Sequence, residues 1–199
     1  IDDESASMED IADVINFDPA LTGQVLRIAN SAIYNFPNQI GSISKATQVL
    51  GTNSIYDLVI AYGVAKAFGS VDAYVIDLDR FWEQSVFCAL LAKYFADKLG
   101  IKESERLFVA GLLHNVGELV MVRFNPELAR ECAQFNETIT PVELQKQKIN
   151  ATYADMGAHL IKNWGLPNSI SEPIAHQHFG LHEADTLDDK ILQLSCVLA

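Results

Sequence analysis

The sequence predicts an all-α protein, and three observations carry that prediction. Apolar residues recur at three- and four-residue spacing through most of the chain, and small polar residues or proline stand just before several of these runs. Glycine closes others, at Gly51, Gly100 and Gly165. Period-two alternation bounded by turn dipeptides is absent, so no strand and no internal repeat is predicted.

Taken in order, Ser7 with Asp10 reads as a helix start and Asp18-Pro19 as a stronger one, because proline in a first turn lacks only an N–H that would go unpaired anyway. Leu21, Val25, Ile28 and Ala29 then share one face. Asn30 to Ser42 is a loop punctuated by Asn, Pro and Gly. Ser42 or Ser44 starts a helix expected to bury Ile43, Ala46, Val49 and Leu50 and to stop at Gly51. Thr52 opens another through Ile55, Leu58, Val59 and Tyr62, fading near Gly69, where a boundary divides an N-terminal subdomain, 1–70, from a larger one, 71–199.

The longest stripe joins Phe81, Ser85, Cys88, Ala89, Ala92, Phe95, Ala96 and Leu99, and it is expected at the centre of the core. Leu107 to Asn115 is the next helical run, in which Gly111, with Gly117 beyond it, permits close approach of a neighbouring backbone. Pro126 starts a further helix. Thr140 with Glu143 forms a capping box, and Thr152 with Asp155 a weaker one, leading through Met156, Leu160 and Trp164 to Gly165. Asn168 or Ser169 caps a short helix toward His178, and Asp188 or Asp189 starts the last. Trp82 and Trp164 fall inside helical patterns and are expected in the core.

The chain carries 14 Lys and Arg against 26 Asp and Glu, a net charge of −12 over 199 residues, which repels phosphate backbones and anionic lipid. Nucleic-acid and membrane-surface binding are therefore not expected. No apolar stretch is read as approaching the roughly 20 residues of a membrane span. The start IDDESASMED shows no basic segment followed by an apolar one, so no signal peptide is read. The pattern at QLSCVLA breaks off midway, which leaves room for a further domain outside the chain. Cys88, Cys132 and Cys196 are odd in number, far apart and without a CxxC pair, so neither a disulfide framework nor a zinc ribbon is readable, and a reducing cytoplasm suits them.

No phosphate loop, GxSxG or HExxH occurs, leaving the five histidines as the chemical resource. His114, in GLLHNVGELV, is either a ligand presented toward a cleft or a buried histidine hydrogen-bonded to a backbone carbonyl. His176 and His178 point to opposite sides of a regular helix, His178 and His182 are separated by Gly180, and His159 reads as solvated. The acidic run Glu183, Asp185, Asp188 and Asp189 reads as a solvated face. Tyr34 and Phe36 either form a recognition surface or plug a gap between helices.

Several segments together resemble the HDOD domain, a bacterial signalling relative of the HD-type metal-dependent phosphohydrolases. They are DPALTGQVLRIANSAIY (18–34), IGSISKATQVLG (40–51), FWEQS (81–85), GLLHNVGEL (111–119) and the stretch from Tyr153 through GAHLIKNWGLP to HQH. The resemblance implies an HD-like multi-helix domain preceded by a smaller helical subdomain, together one HDOD-like domain over 1–199. It also implies that Gln84, Asn115, Tyr153 and Gln177 stand where HD enzymes carry metal-binding His or Asp residues, with His114 and His178 remaining.

A carboxamide lacks the charge that holds a cation, and a phenol must lose its proton before it can ligate. The resemblance therefore implies a degenerate HD site with no catalytic residue, no retained metal and no cofactor. After His178 the sequence reads FGLHEAD where HD-GYP relatives would show a HHE pair and a GYP element, so cyclic-dinucleotide hydrolysis is not expected. The expected role is a non-catalytic signalling or scaffolding module in a bacterial cytoplasm. It would contact a protein partner through Asn30, Ser31, Tyr34 and Phe36 and through the groove between the subdomains. Two alternatives stay open: a divergent phosphohydrolase that holds a divalent metal with His114 and His178 and substitute carboxylates such as Glu118 or Asp155, and a small-ligand sensor using the remnant pocket.

Overall fold

A computed structural model describes residues 12, 15–16, 19–30, 39–67, 74–134, 139–179 and 186–199. Among them no β-strand occurs, and the elements are helices. The chain divides into two compact units, 1–66 and 67–199. The start expected at Ser7 and the loop residues Ser31, Tyr34 and Phe36 lie outside the described residues.

In the first unit, α1 (Pro19–Ala29), α2 (Ile43–Leu50) and α3 (Thr52–Ala67) follow the expected order, although α3 ends one residue past the unit. Leu21, Val25, Ile28 and Ala29 are all buried, as their spacing required. Ser42 caps α2 by accepting from the Lys45 N–H, and Gly51 ends the helix with φ 83°, a conformation that favours glycine. Thr47, not Val49, completes the buried face of α2. Its hydroxyl donates to the Ile43 carbonyl at 2.9 Å, so burying it leaves no group unpaired. Asn30 donates its amide to the carbonyls of Leu26 and Ile40, both at 2.8 Å, and accepts from the Ile40 N–H at 2.7 Å. Its side chain thus ties the end of α1 to Ile40.

The second unit is built around α4 (Leu78–Lys98), capped by Asp77 accepting from the N–H groups of Asp79 and Arg80. The helices α5 (Glu105–Leu113) and α11 (Leu187–Leu198) pack on it and on each other. Ala92, Ala96, Leu107 and Ile191 form a buried cluster at this junction. The predicted stripe of α4 departs from observation at its end: Leu99 is 58% exposed in the C-cap, while Leu90 is buried. Between α5 and α6 (Val116–Phe124) the run expected to be continuous is broken at His114-Asn115. Next come α7 (Pro126–Cys132), α8 (Pro141–Ile149), α9 (Tyr153–Asn163) and α10 (Asn168–Ala175).

Both predicted capping boxes form, at Thr140/Glu143 and Thr152/Asp155. The two remaining starts differ from expectation. Pro167 is the N-cap of α10, and Thr186 caps α11 with Asp189 as its reciprocal partner. Trp164 is 41% exposed in the C-cap of α9, so it is not a core residue.

The segment Glu105–Phe124 corrects a further expectation, because by length and composition its 20 residues are apolar enough to cross a membrane. The break at His114 divides it, and 72% of its most apolar stretch is buried inside the fold. Its hydropathy is therefore that of a core segment covered by neighbours.

Two glycines set how closely helices approach. A Cβ at Gly111 would lie 2.6 Å from Ala89 Cα on α4, and one at Gly117 would overlap the Tyr153 carbonyl oxygen on α9. Only hydrogen fits at either crossing. These contacts hold the His114-Asn115 turn between α4 and α9.

Candidate functional site

The geometry at His114 follows from where α5 stops. As the C-cap of that helix, His114 is 5% exposed, and its Nδ1 lies 2.6 Å from the Gly111 carbonyl. A carbonyl only accepts, so Nδ1 carries the proton and Nε2 keeps the free lone pair of the neutral ring. Burial lowers the His114 pKa to about 4, against the opposing pull of the Gly111 carbonyl, and His178 lowers it further. Of the two sequence readings, the histidine bonded to a backbone carbonyl is the one observed.

Gln177, just after α10, is buried and donates Nε2–H to the His114 carbonyl at 2.8 Å. Its Oε1 accepts from Cys196 Sγ at 3.7 Å, and the Cys196 and Cys88 sulfurs are 3.6 Å apart. Since the Cys196 proton goes to Gln177, the Cys88 thiol donates to Cys196. A chain of donors therefore runs from α4 through α11 and Gln177 to the α5–α6 turn. The hydrogen bond to Cys196, then burial, raises the Cys88 pKa well above the thiol range.

Among the described residues, Gln84, Asn115 and Tyr153 make no side-chain hydrogen bond to His114, Gln177, Cys88 or Cys196. Gln84 lies exposed on α4, whereas Ser85 and Cys88 occupy its buried face. Asn115 is half-buried at the N-cap of α6, but its side chain does not cap the helix. Tyr153 is buried and its hydroxyl has no hydrogen-bond partner among the described residues. Burial raises its pKa, with Cys132 and Glu118 adding to the shift, so the phenol stays protonated.

His178 is exposed by area, although partial burial of the ring lowers its pKa while Asp155 opposes the shift. His159 is exposed, as expected, and His182 lies outside the described residues. Asp155 Oδ2 accepts from both the N–H and hydroxyl of Thr152, which commits that oxygen to the capping box. Glu118 is half-buried and its pKa is raised by burial.

An HD-type metal needs several imidazoles and carboxylates converging on one ion. The residues present do not fit it: Gln84 and His178 are exposed, Asn115 and Gln177 are carboxamides, the latter tied to His114 and Cys196, and the Tyr153 phenol is protonated. Among the described residues, Glu118 and Asp155, the possible substitutes, join no group of three such ligand atoms. Among the described residues the one set of His, Cys, Asp or Glu ligand atoms within 4.8 Å of one another is Cys88, His114 and Cys196. Sequence reasoning missed this set, since Cys88 and Cys196 are 108 residues apart and show no motif spacing.

The fold and the histidine–asparagine turn at its centre define an all-α protein of HD-like architecture. Residues 1–179 match the HDOD domain, and the chain belongs to that family. It is 28% identical over 184 residues to an uncharacterized protein of Treponema pallidum (strain Nichols), covering 89% of this chain but only 35% of that protein. Thus the chain spans about a third of that relative's length.

Among solved structures it resembles a protein named "Putative phosphohydrolase" from Shewanella amazonensis SB2B, with TM-score 0.80 and 27% identity over 98% of this chain and 70% of the other. It also resembles a "Putative signal transduction protein" from Marinobacter aquaeolei VT8, with TM-score 0.70 and 23% identity over 97% of this chain and 44% of the other. The second likeness bears on fold alone.

Proposed function

We propose that this protein is a non-catalytic signal-transduction or scaffolding module of HDOD type, acting through protein contacts in a bacterial cytoplasm, with a degenerate HD metal site. One observation carries the reading: the position that would supply a late metal-binding histidine is Gln177, and its amide is tied to the His114 carbonyl and the Cys196 thiol. A side chain held on both ends acts as an interior strut. Fold alone does not bring activity with it, so the phosphohydrolase name of a structural relative is no argument for turnover here.

The partner surface at Asn30, Ser31, Tyr34 and Phe36 is part of the proposal. The test is hydrolysis of bis(p-nitrophenyl) phosphate and of cyclic dinucleotides with Mn2+ or Fe2+ present. No turnover above buffer is expected. Turnover that disappears in His114→Ala would overturn the reading in favour of a rebuilt phosphohydrolase.

A further inference from the structure

We propose that Cys88, Cys196 and His114 form a zinc site of a kind unrelated to HD chemistry, clipping the last helix to the core of the second unit. The three residues come from α4, α11 and the end of α5, and their ligand atoms all lie within 4.8 Å of one another. Zinc–sulfur bonds of about 2.3 Å at tetrahedral angles place two sulfurs roughly 3.8 Å apart. The observed separation is 3.6 Å, which is non-bonded and close to that edge.

Histidine ligands of zinc commonly donate their second ring N–H to a carbonyl, which fixes the tautomer. His114 already does so toward Gly111, so the unprotonated Nε2 is the nitrogen that would ligate. The Gly111–Ala89 crossing is the reason His114 and Cys88 are neighbours at all.

The donor set also selects the ion. Two thiolates and an imidazole suit Zn2+, whereas Mg2+ and Mn2+ prefer oxygen. Binding removes the thiol protons and thereby leaves Gln177 Oε1 without its donor, 3.7 Å from Cys196 Sγ. That oxygen, held in place by the Nε2 bond to the His114 carbonyl, is the candidate for the fourth position.

Two further buried polar atoms have no partner among the described residues, Ser85 Oγ and Gln193 Oε1. Each stands one turn before a cysteine, on α4 and α11 respectively, so the helix faces that carry the sulfurs are polar as well as buried. Cys196 is only half-buried, which gives the ion a way in.

The experiment uses untagged protein kept reduced with a phosphine, stripped with EDTA, reloaded with ZnCl2 and desalted. Elemental mass spectrometry is expected to find one zinc per chain. Co2+ in its place is expected to give thiolate charge-transfer absorption and tetrahedral d–d bands.

Cys196→Ala, at the more exposed ligand, is expected to weaken zinc binding by more than about 100-fold, beyond the ~10–100-fold typical of losing an outer-shell partner. Cys132→Ser is expected to bind as the parent does. Circular dichroism confirms that the variants are folded, and zinc is expected to raise the melting temperature of the parent but not of Cys196→Ala. Parent protein that desalts free of zinc, or Cys196→Ala that retains it at parental affinity, overturns the proposal.

Discussion

Replacing Gly111 by alanine tests the crossing on which the whole interior site depends. The new methyl carbon would stand 2.6 Å from Ala89 Cα, 2.8 Å from Ala89 N and 3.0 Å from the Cys88 carbonyl carbon. Non-bonded carbons rest about 3.5–4.0 Å apart, so α5 must withdraw from α4 by about 1 Å, forfeiting roughly a quarter to a half of the dispersion energy at each contact it loosens. Overpacking of this kind costs about 1–3 kcal/mol, and the upper end applies because the obstructing atoms are backbone and cannot rotate aside.

Alanine returns about 1 kcal/mol of helix propensity, leaving a net loss of about 2 kcal/mol. At about 2–4 °C per kcal/mol for a chain of this size, the melting temperature falls by about 4–8 °C. The assay is urea and thermal unfolding followed by far-ultraviolet circular dichroism, in EDTA and reductant. Gly23→Ala and Gly63→Ala are the controls: both lie in helices with nothing within 4 Å of the added carbon, so each is expected to gain up to about 1 kcal/mol. A Gly111→Ala protein as stable as the parent would refute the packing argument.

Three other outcomes follow from the same structure. Thr152→Ala removes the hydroxyl that accepts from the Asp155 N–H and is expected to cost about 1 kcal/mol in the same unfolding assay. In metal-free protein, the lowering of the His114 pKa to about 4 makes the unfolded chain bind the proton first as pH falls. The stabilisation is therefore complete above about pH 6.5 and shrinks by about 3 kcal/mol on going down to pH 4. His178, also lowered, acts in the same direction. Urea midpoints between pH 7 and 4.5 are expected to fall less steeply in His114→Gln than in the parent. Asn115→Asp, which places a carboxylate directly after His114, is expected to retain no Mn2+ after desalting, because Gln84 remains exposed and Gln177 remains tied to His114 and Cys196.

Most helices were legible because their signals are local. The Thr140 and Thr152 boxes, the helix start at Pro19 and the stops at Gly51 and Gly165 each depend on residues a few positions apart. The interruption at His114 was not legible, since both sides of it carry the same apolar spacing and only packing against α4 and α9 makes a turn preferable there. Capping choices failed where two candidates stood side by side: Thr186 reaches the Asp189 N–H, so Asp189 serves as the partner in the box and does not start the helix.

At the candidate site, the resemblance implied that Gln84, Asn115, Tyr153 and Gln177 stand where HD enzymes carry His or Asp. It could not show what these side chains do instead. The Gln177 bridge spans 63 residues to His114 and 19 to Cys196, and the cysteine pair spans 108, distances over which spacing carries no information. Trp164 misled for the opposite reason: its position continues the apolar period of α9, but the helix has already ended at the surface.

The central claim is that the hydrolytic metal site of the HD fold has become a structural interior. Its most direct test is to incubate untagged protein with Mn2+ or Fe2+, desalt it, and measure those metals by elemental mass spectrometry alongside phosphodiester hydrolysis. The account predicts that neither Mn2+ nor Fe2+ is retained and that no substrate turns over, whatever zinc the cysteine pair holds. Stoichiometric Mn2+ or Fe2+ with turnover, both lost in His114→Ala, would contradict it.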